Sequence, residues 1–122
     1  FTAGEGVDVV YDSVGIDTIP GSMRCLKPRG TLVLYGQSSG EVTGINPAAL
    51  ADAGSLFFTR PHLAHHIATP EALSARSEDI FSWFLKGDIS VKMNRVFSLR
   101  DAPKAHHRLD DRSCFGKILL TP

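Results

Sequence analysis

The segment that most constrains the fold is Thr31-Leu32-Val33-Leu34-Tyr35, set between Gly30 and Gly36. It is apolar almost throughout, with no polar alternation. That pattern predicts a strand buried on both faces, as in a parallel sheet covered by helices. Other runs fit beside it. Val7-Asp8-Val9-Val10-Tyr11 is β-branched and aromatic and reads as a strand. Ser55-Leu56-Phe57-Phe58-Thr59 reads as another, closed by Arg60-Pro61, and Val91 to Ser98 and Lys117 to Leu120 add two more.

Helical patterns separate these runs. Asp17 or Thr18 can cap a helix carrying Ile19, Met23 and Leu26 at helical spacing, with Pro20 in its first turn and Pro28 and Gly30 as stops. A short helix fits Pro47 to Ala53. Thr69 precedes Pro70 and Glu71, a good helix start, and Leu73, Ile80, Phe81, Phe84 and Leu85 define an apolar face that Gly87 ends. Asp101 can cap a last helix with Ala102, Ala105 and Leu109 on one side. Strands alternating with helices predict an α/β fold with a largely parallel sheet.

Charge and composition exclude several classes. Thirteen basic residues balance thirteen acidic ones, and no basic stripe is present, which argues against nucleic acid and anionic membrane as partners. No apolar run approaches the roughly 20 residues of a membrane helix. Cys25 and Cys114 are far apart, so they are expected as free thiols in a cytoplasmic protein. No signal peptide is visible. The chain starts at Phe1 and reads as part of something longer.

Five histidines raise the question of a metal. His62, His65 and His66 follow the third strand, where solvation in a loop is expected. His106 and His107 are adjacent on a helix and point about 100° apart, so one packed and one exposed ring is expected. No acid completes a ligand set. The serines lack a GxSxG context, and neither cysteine has a visible base.

In an open parallel sheet, ligands bind outside the carboxyl ends of the strands. Three such ends are rich in glycine, hydroxyls or amides: Asp12-Ser13-Val14-Gly15, Gly36-Gln37-Ser38-Ser39 and Thr59-Arg60-Pro61. An arginine at a strand end can grip phosphate or carboxylate through two parallel hydrogen bonds. The GxGxxG fingerprint is absent, so a dinucleotide fold here would be its second half.

These same residues resemble a known family. Val9 to Gly15, Gly30 to Gly40 and Gly54 to Pro61 are similar to bacterial quinone oxidoreductases of the zeta-crystallin group, in the medium-chain dehydrogenase/reductase superfamily. Asp101 to His106 and Gly116 to Leu120 resemble the superfamily's C-terminal segment. The resemblance implies a partial Rossmann-type parallel sheet over residues 1–90, the second half of an NADPH-binding domain. Residues 91–122 would return to a GroES-like catalytic domain.

The resemblance further implies hydride transfer from NADPH to a quinone or related electron-poor carbonyl compound, without catalytic zinc. Ser13, Tyr35, Gly36, Gln37, Ser38, Phe58, Thr59, Arg60 and Arg112 would face the cofactor, with backbone rather than side-chain contacts at Gln37. No residue is nominated as an acid or base. The edge strand Ser55 to Thr59 would pair with its copy in a homodimer. The chain alone is expected to be inactive. The alternatives are a non-catalytic α/β dimerisation module, or a piece of another medium-chain dehydrogenase such as a zinc alcohol dehydrogenase.

Overall fold

In a computed structural model, residues 2–111 and 114–122 are described. They form two compact units, Phe1–Pro70 and Glu71–Pro122. Every strand pairing is parallel, in agreement with the expected α/β class.

The first unit carries a three-stranded sheet in the order β1 (Val7–Asp12), β2 (Leu26–Leu34), β3 (Phe57–Thr59). Helices α1 (Ile19–Arg24) and α2 (Pro47–Asp52) supply the connections, and a further short helix, α3 (Leu63–His66), follows β3. The core is Ile19, Leu26, Leu32, Leu34 and Leu56, with Val10, Met23, Val42, Ile45, Leu50, Ala53 and Phe58 packed on it. Leu32 and Leu34 are fully buried. Each leucine so buried contributes about 1.5–3 kcal/mol.

That core covers one face of the sheet only. Val9 pairs with Thr31 and Thr31 with Phe57 across the sheet; Tyr11 pairs with Val33 and Val33 with Thr59. Along these rows Thr31 and Val33 are half-buried, while Tyr11 and Phe57 are exposed. The expectation that β2 is buried on both faces is therefore corrected. Within this unit the packed helices α1 and α2 lie on the Leu32/Leu34 side.

The stop expected at Pro28 and Gly30 is also corrected. Helix α1 ends at Arg24, and Leu26 already pairs with Val7. Between the pairs Val7–Leu26 and Val9–Thr31, β2 advances five residues against two on β1. The surplus is taken up at Pro28-Arg29-Gly30. Arg29 adopts φ 63°, and its amide donates to the Gly54 carbonyl at 2.7 Å. A Cβ at Gly30 would sit 2.9 Å from the Lys27 oxygen. The turn residues thus shape an excursion inside the strand, not its boundary.

β3 is shorter than expected because Ser55 takes φ 58° and the Leu56 amide donates to Leu50. α3 forms where the sequence reads as loop.

The second unit holds α4 (Pro70–Lys86, from its second residue on) and a two-stranded parallel sheet of β4 (Met93–Ser98) and β5 (Lys117–Thr121). These strands are connected by a 3₁₀ turn, Leu99–Asp101, and by α5 (Ala102–Asp110). Asp101 stands at the cap position of α5 without capping it; its carboxylate takes Lys104 at 2.7 Å instead. Ala105 is buried, but Leu109 is exposed. The expected apolar residues of α4 are likewise exposed, from Leu73 at 48% to Leu85 at 84%. No described helix is long and apolar enough to cross a membrane.

Candidate functional site at the strand ends

Because β1, β2 and β3 run parallel in register, their carboxyl ends share one edge. Asp12 pairs with Leu34, and Val33 with Thr59. Ser13, Tyr35 and Arg60 follow directly. The first two strand ends are bonded into one structure. The Asp12 carbonyl accepts the Tyr35 amide at 2.9 Å and the Gly36 amide at 3.3 Å. The Ser38 amide donates to Ser13 and the Ser39 amide to Val14. Gly15 and Gly40 form a further bridge.

Ser39 closes the pair of loops from the side. Its hydroxyl donates to the Val14 carbonyl at 2.7 Å and accepts the Asp17 amide at 3.2 Å. Two glycines make the approach possible. At Gly36 a Cβ would overlap the Ser13 carbonyl. At Gly15, φ 99° favours glycine, and a Cβ would lie 2.8 Å from the Gly40 oxygen.

Beneath this edge lies Asp12, only 4% exposed. Its Oδ1 accepts the amides of Val14 at 2.8 Å and Gly15 at 3.0 Å. The Thr18 hydroxyl lies within 2.9 Å of both carboxylate oxygens, and Ser22 donates to Oδ2 at 2.6 Å. Burial pushes the Asp12 carboxyl up. The Ser22 hydroxyl, the Gly15 amide, the Thr18 hydroxyl and the Val14 amide outweigh it and hold the group below its ordinary value. Asp12 belongs to the strand-end motif read from the sequence, but its role as a hub was not read there. The signal available was an acid at a strand end followed by hydroxyls six and ten residues on.

The expected site residues divide as follows. Ser13, Tyr35, Gly36, Gln37 and Ser38 are brought together, and all but the half-buried Gly36 are exposed. The Gln37 side chain is engaged within its own loop, its Oε1 accepting the Val42 amide at 3.3 Å. Phe58 is half-buried on the core, so its backbone, not its ring, is presented at the edge. Thr59 and Arg60 are exposed, and the Arg60 Nη1 donates to the neighbouring Pro61 carbonyl at 3.1 Å. Arg112 lies outside the described residues.

The histidines form no centre. Among the described residues, no group of three or more His, Cys, Asp or Glu side chains could hold a metal ion. His62 and His65 face each other with ring centroids 5.5 Å apart at the surface. His106 and His107 are both exposed, which corrects the expectation that one is packed. Cys25 and Cys114 are free thiols.

A family model described as "Zinc-binding dehydrogenase" matches residues 1–120. The chain belongs to that family. Within it, the chain is 44% identical over 121 residues to a quinone oxidoreductase of Pseudomonas aeruginosa, covering 99% of this chain and 37% of the relative. A solved structure of Escherichia coli quinone oxidoreductase complexed with NADPH superposes with a TM-score of 0.91 at 44% identity, covering 99% of this chain and 38% of that one. The 2-haloacrylate reductase structure gives a TM-score of 0.88 at 39% identity over 99% of this chain and 38% of that one. This family member thus spans a little over a third of the length of the relatives it matches.

Proposed function

We propose that the chain supplies the second half of an NADPH-binding domain in a quinone-oxidoreductase-type member of this family. One observation carries the reading: three parallel strands end together, presenting Ser13, Tyr35 to Ser38 and Thr59-Arg60 along a single exposed edge. That edge is where an open α/β sheet binds its ligand. The residues there fit a dinucleotide. Glycine at 36 leaves the backbone uncovered, hydroxyls at 13, 38 and 59 offer hydrogen bonds, and the exposed Arg60 guanidinium suits a phosphate or carboxyl-amide oxygen.

Bound NADPH would supply hydride to an electron-poor acceptor. The residues of this chain would bind the cofactor, orient it and exclude water from it. The substrate we assign is a quinone or a related electron-poor carbonyl compound. In this reading residues 1–90 belong to the nucleotide-binding domain, and residues 91–122 return to a catalytic domain. The enzyme acts without zinc, in the cytoplasm, as a homodimer joined through the β3 edge. Support for zinc independence is the likeness of the strand-end motifs to the zinc-free zeta-crystallin group. Support for the dimer is that β3 has a neighbour on one side only among the described strands.

The test is NADPH-dependent quinone reduction by the full-length encoded protein, with metal analysis on the same sample. Turnover without stoichiometric zinc is expected, and none from the 122-residue chain alone. Zinc-dependent alcohol oxidation by the full-length protein would overturn the reading.

A further inference from the structure

Asp12 is buried behind the strand ends, and its hydrogen bonds divide into two sets. One set, from Val14 and Gly15, goes to the turn that follows β1. The other, from Thr18 and Ser22, goes to the start and middle of α1. The carboxylate therefore ties the strand-end turn to the helix behind it. The same turn is the one fastened to the second strand end, through Ser13, Val14 and Gly15 on one side and Ser38, Ser39 and Gly40 on the other.

A five-residue turn held only by backbone bonds would sample several conformations, and ordering it on binding would cost affinity. A buried, ionised carboxylate changes this. Each amide bonded to a charged acceptor is held more strongly than by a neutral one. No buried polar side-chain atom among the described residues is left without a partner, the Asp12 oxygens included.

We infer that Asp12 is a positioning residue: by fixing the Val14 and Gly15 amides it sets the Ser13–Gly36 edge in its binding geometry before any cofactor arrives. The inference rests on the cofactor reading above. It adds that the charge on a residue buried behind the edge governs cofactor affinity. Ser39 supports the same turn from the outside, through Val14 and Asp17.

The test compares Asp12→Asn with Leu50→Ala in the full-length encoded protein. Asn keeps the shape and one acceptor oxygen but removes the charge. Leu50 packs on the core from α2, and its carbonyl accepts the Leu56 amide just ahead of β3, so its truncation costs stability without touching the turn. Thermal melting, the KM for NADPH and the kcat with a quinone are read for each. For Asp12→Asn the expected result is a KM for NADPH raised about tenfold, equivalent to the loss of one charge-assisted hydrogen bond. Its kcat at saturating NADPH should stay within about threefold, since preorganisation acts on binding. Leu50→Ala should melt earlier with an unchanged KM.

An unchanged KM in Asp12→Asn would overturn the inference. So would an equal rise in Leu50→Ala, which would make the effect one of general stability. If the unsubstituted protein binds no NADPH, the cofactor reading itself fails and this inference with it. That outcome is separable from the other two, because it appears before any variant is made.

Discussion

Gly36 lies so close to Ser13 that a Cβ at residue 36 would overlap the Ser13 carbonyl oxygen and stand 2.9 Å from its Cα. The obstacle is backbone, which cannot rotate aside as a side chain can. Gly36→Ala should therefore push the ends of β1 and β2 apart. A stability loss of about 1–3 kcal/mol is expected, as for other overpacked sites. NADPH affinity should fall with it, because the bonds from Tyr35 and Gly36 to Asp12 lie in the same junction. Urea denaturation and NADPH titration on the same variant check both. Wild-type values in both would show that the strand ends can yield.

The lowered Asp12 carboxyl gives stability a definite dependence on acidity. Its folded-state value lies below its unfolded one. The folded form thus releases the proton more readily, and the stabilisation is complete above the ordinary aspartate value of about 3.9. It is lost as pH falls below that value and through the folded one. Denaturation curves taken from neutral pH downwards should show the gap between wild type and Asp12→Asn narrowing once the pH falls below about 3.9. At neutral pH the variant should be weaker by about 1–3 kcal/mol. A gap that stays constant with pH would contradict the assignment.

Much of this edge is legible in the sequence. Parallel strands must all end on the same side, so three polar strand ends in the sequence imply one shared edge. Less legible were the features that depend on how distant residues meet. Asp12 needs Thr18 and Ser22 on a helix placed behind it, and nothing local reveals that they converge. Pro28 and Gly30 announced a turn correctly, but a turn within β2 looks in sequence like the end of a helix. The apolar run of β2 predicted two covered faces, whereas packing in its own unit covers one. Apolarity reports what a segment tolerates, and its partners decide what is buried. The apolar face of α4 makes the same point: Ile80, Phe81 and Phe84 have helical spacing, yet each is at least half exposed.

Arg60 allows a cleaner separation of binding from folding. It is exposed, and its hydrogen bond runs to the adjacent Pro61 carbonyl. Removing it should change stability by no more than about 0.5 kcal/mol. In the full-length protein, Arg60→Ala should raise the KM for NADPH by about three- to tenfold, the value of a solvent-accessible charge-assisted contact. Arg60→Lys should recover only part of this, since lysine keeps the charge but not the planar pair of donors. Unchanged kinetics in the alanine variant would remove the Arg60 side chain from the cofactor site.

The outer edge of β3 supports a prediction about assembly. β3 has only three residues and bonds to β2 on one side. Among the described residues its other side meets no strand. An open edge with an exposed phenylalanine at 56% invites pairing with a second copy. Antiparallel pairing about a two-fold axis at Phe58, the middle of the three, sets residue 57 opposite residue 59 of the other copy and diagonal to its own counterpart. Phe57→Lys would place two like charges on that joining edge as a diagonal pair, still within reach of each other for side chains this long. Since Phe57 is already exposed, the fold of each copy should lose no more than about 1 kcal/mol. Light scattering on the 122-residue chain should give twice the 13.2 kDa chain mass for the wild type and a single chain mass for the variant. A wild type that is monomeric at high micromolar concentration, or a variant that remains dimeric, would exclude β3 as the joining edge.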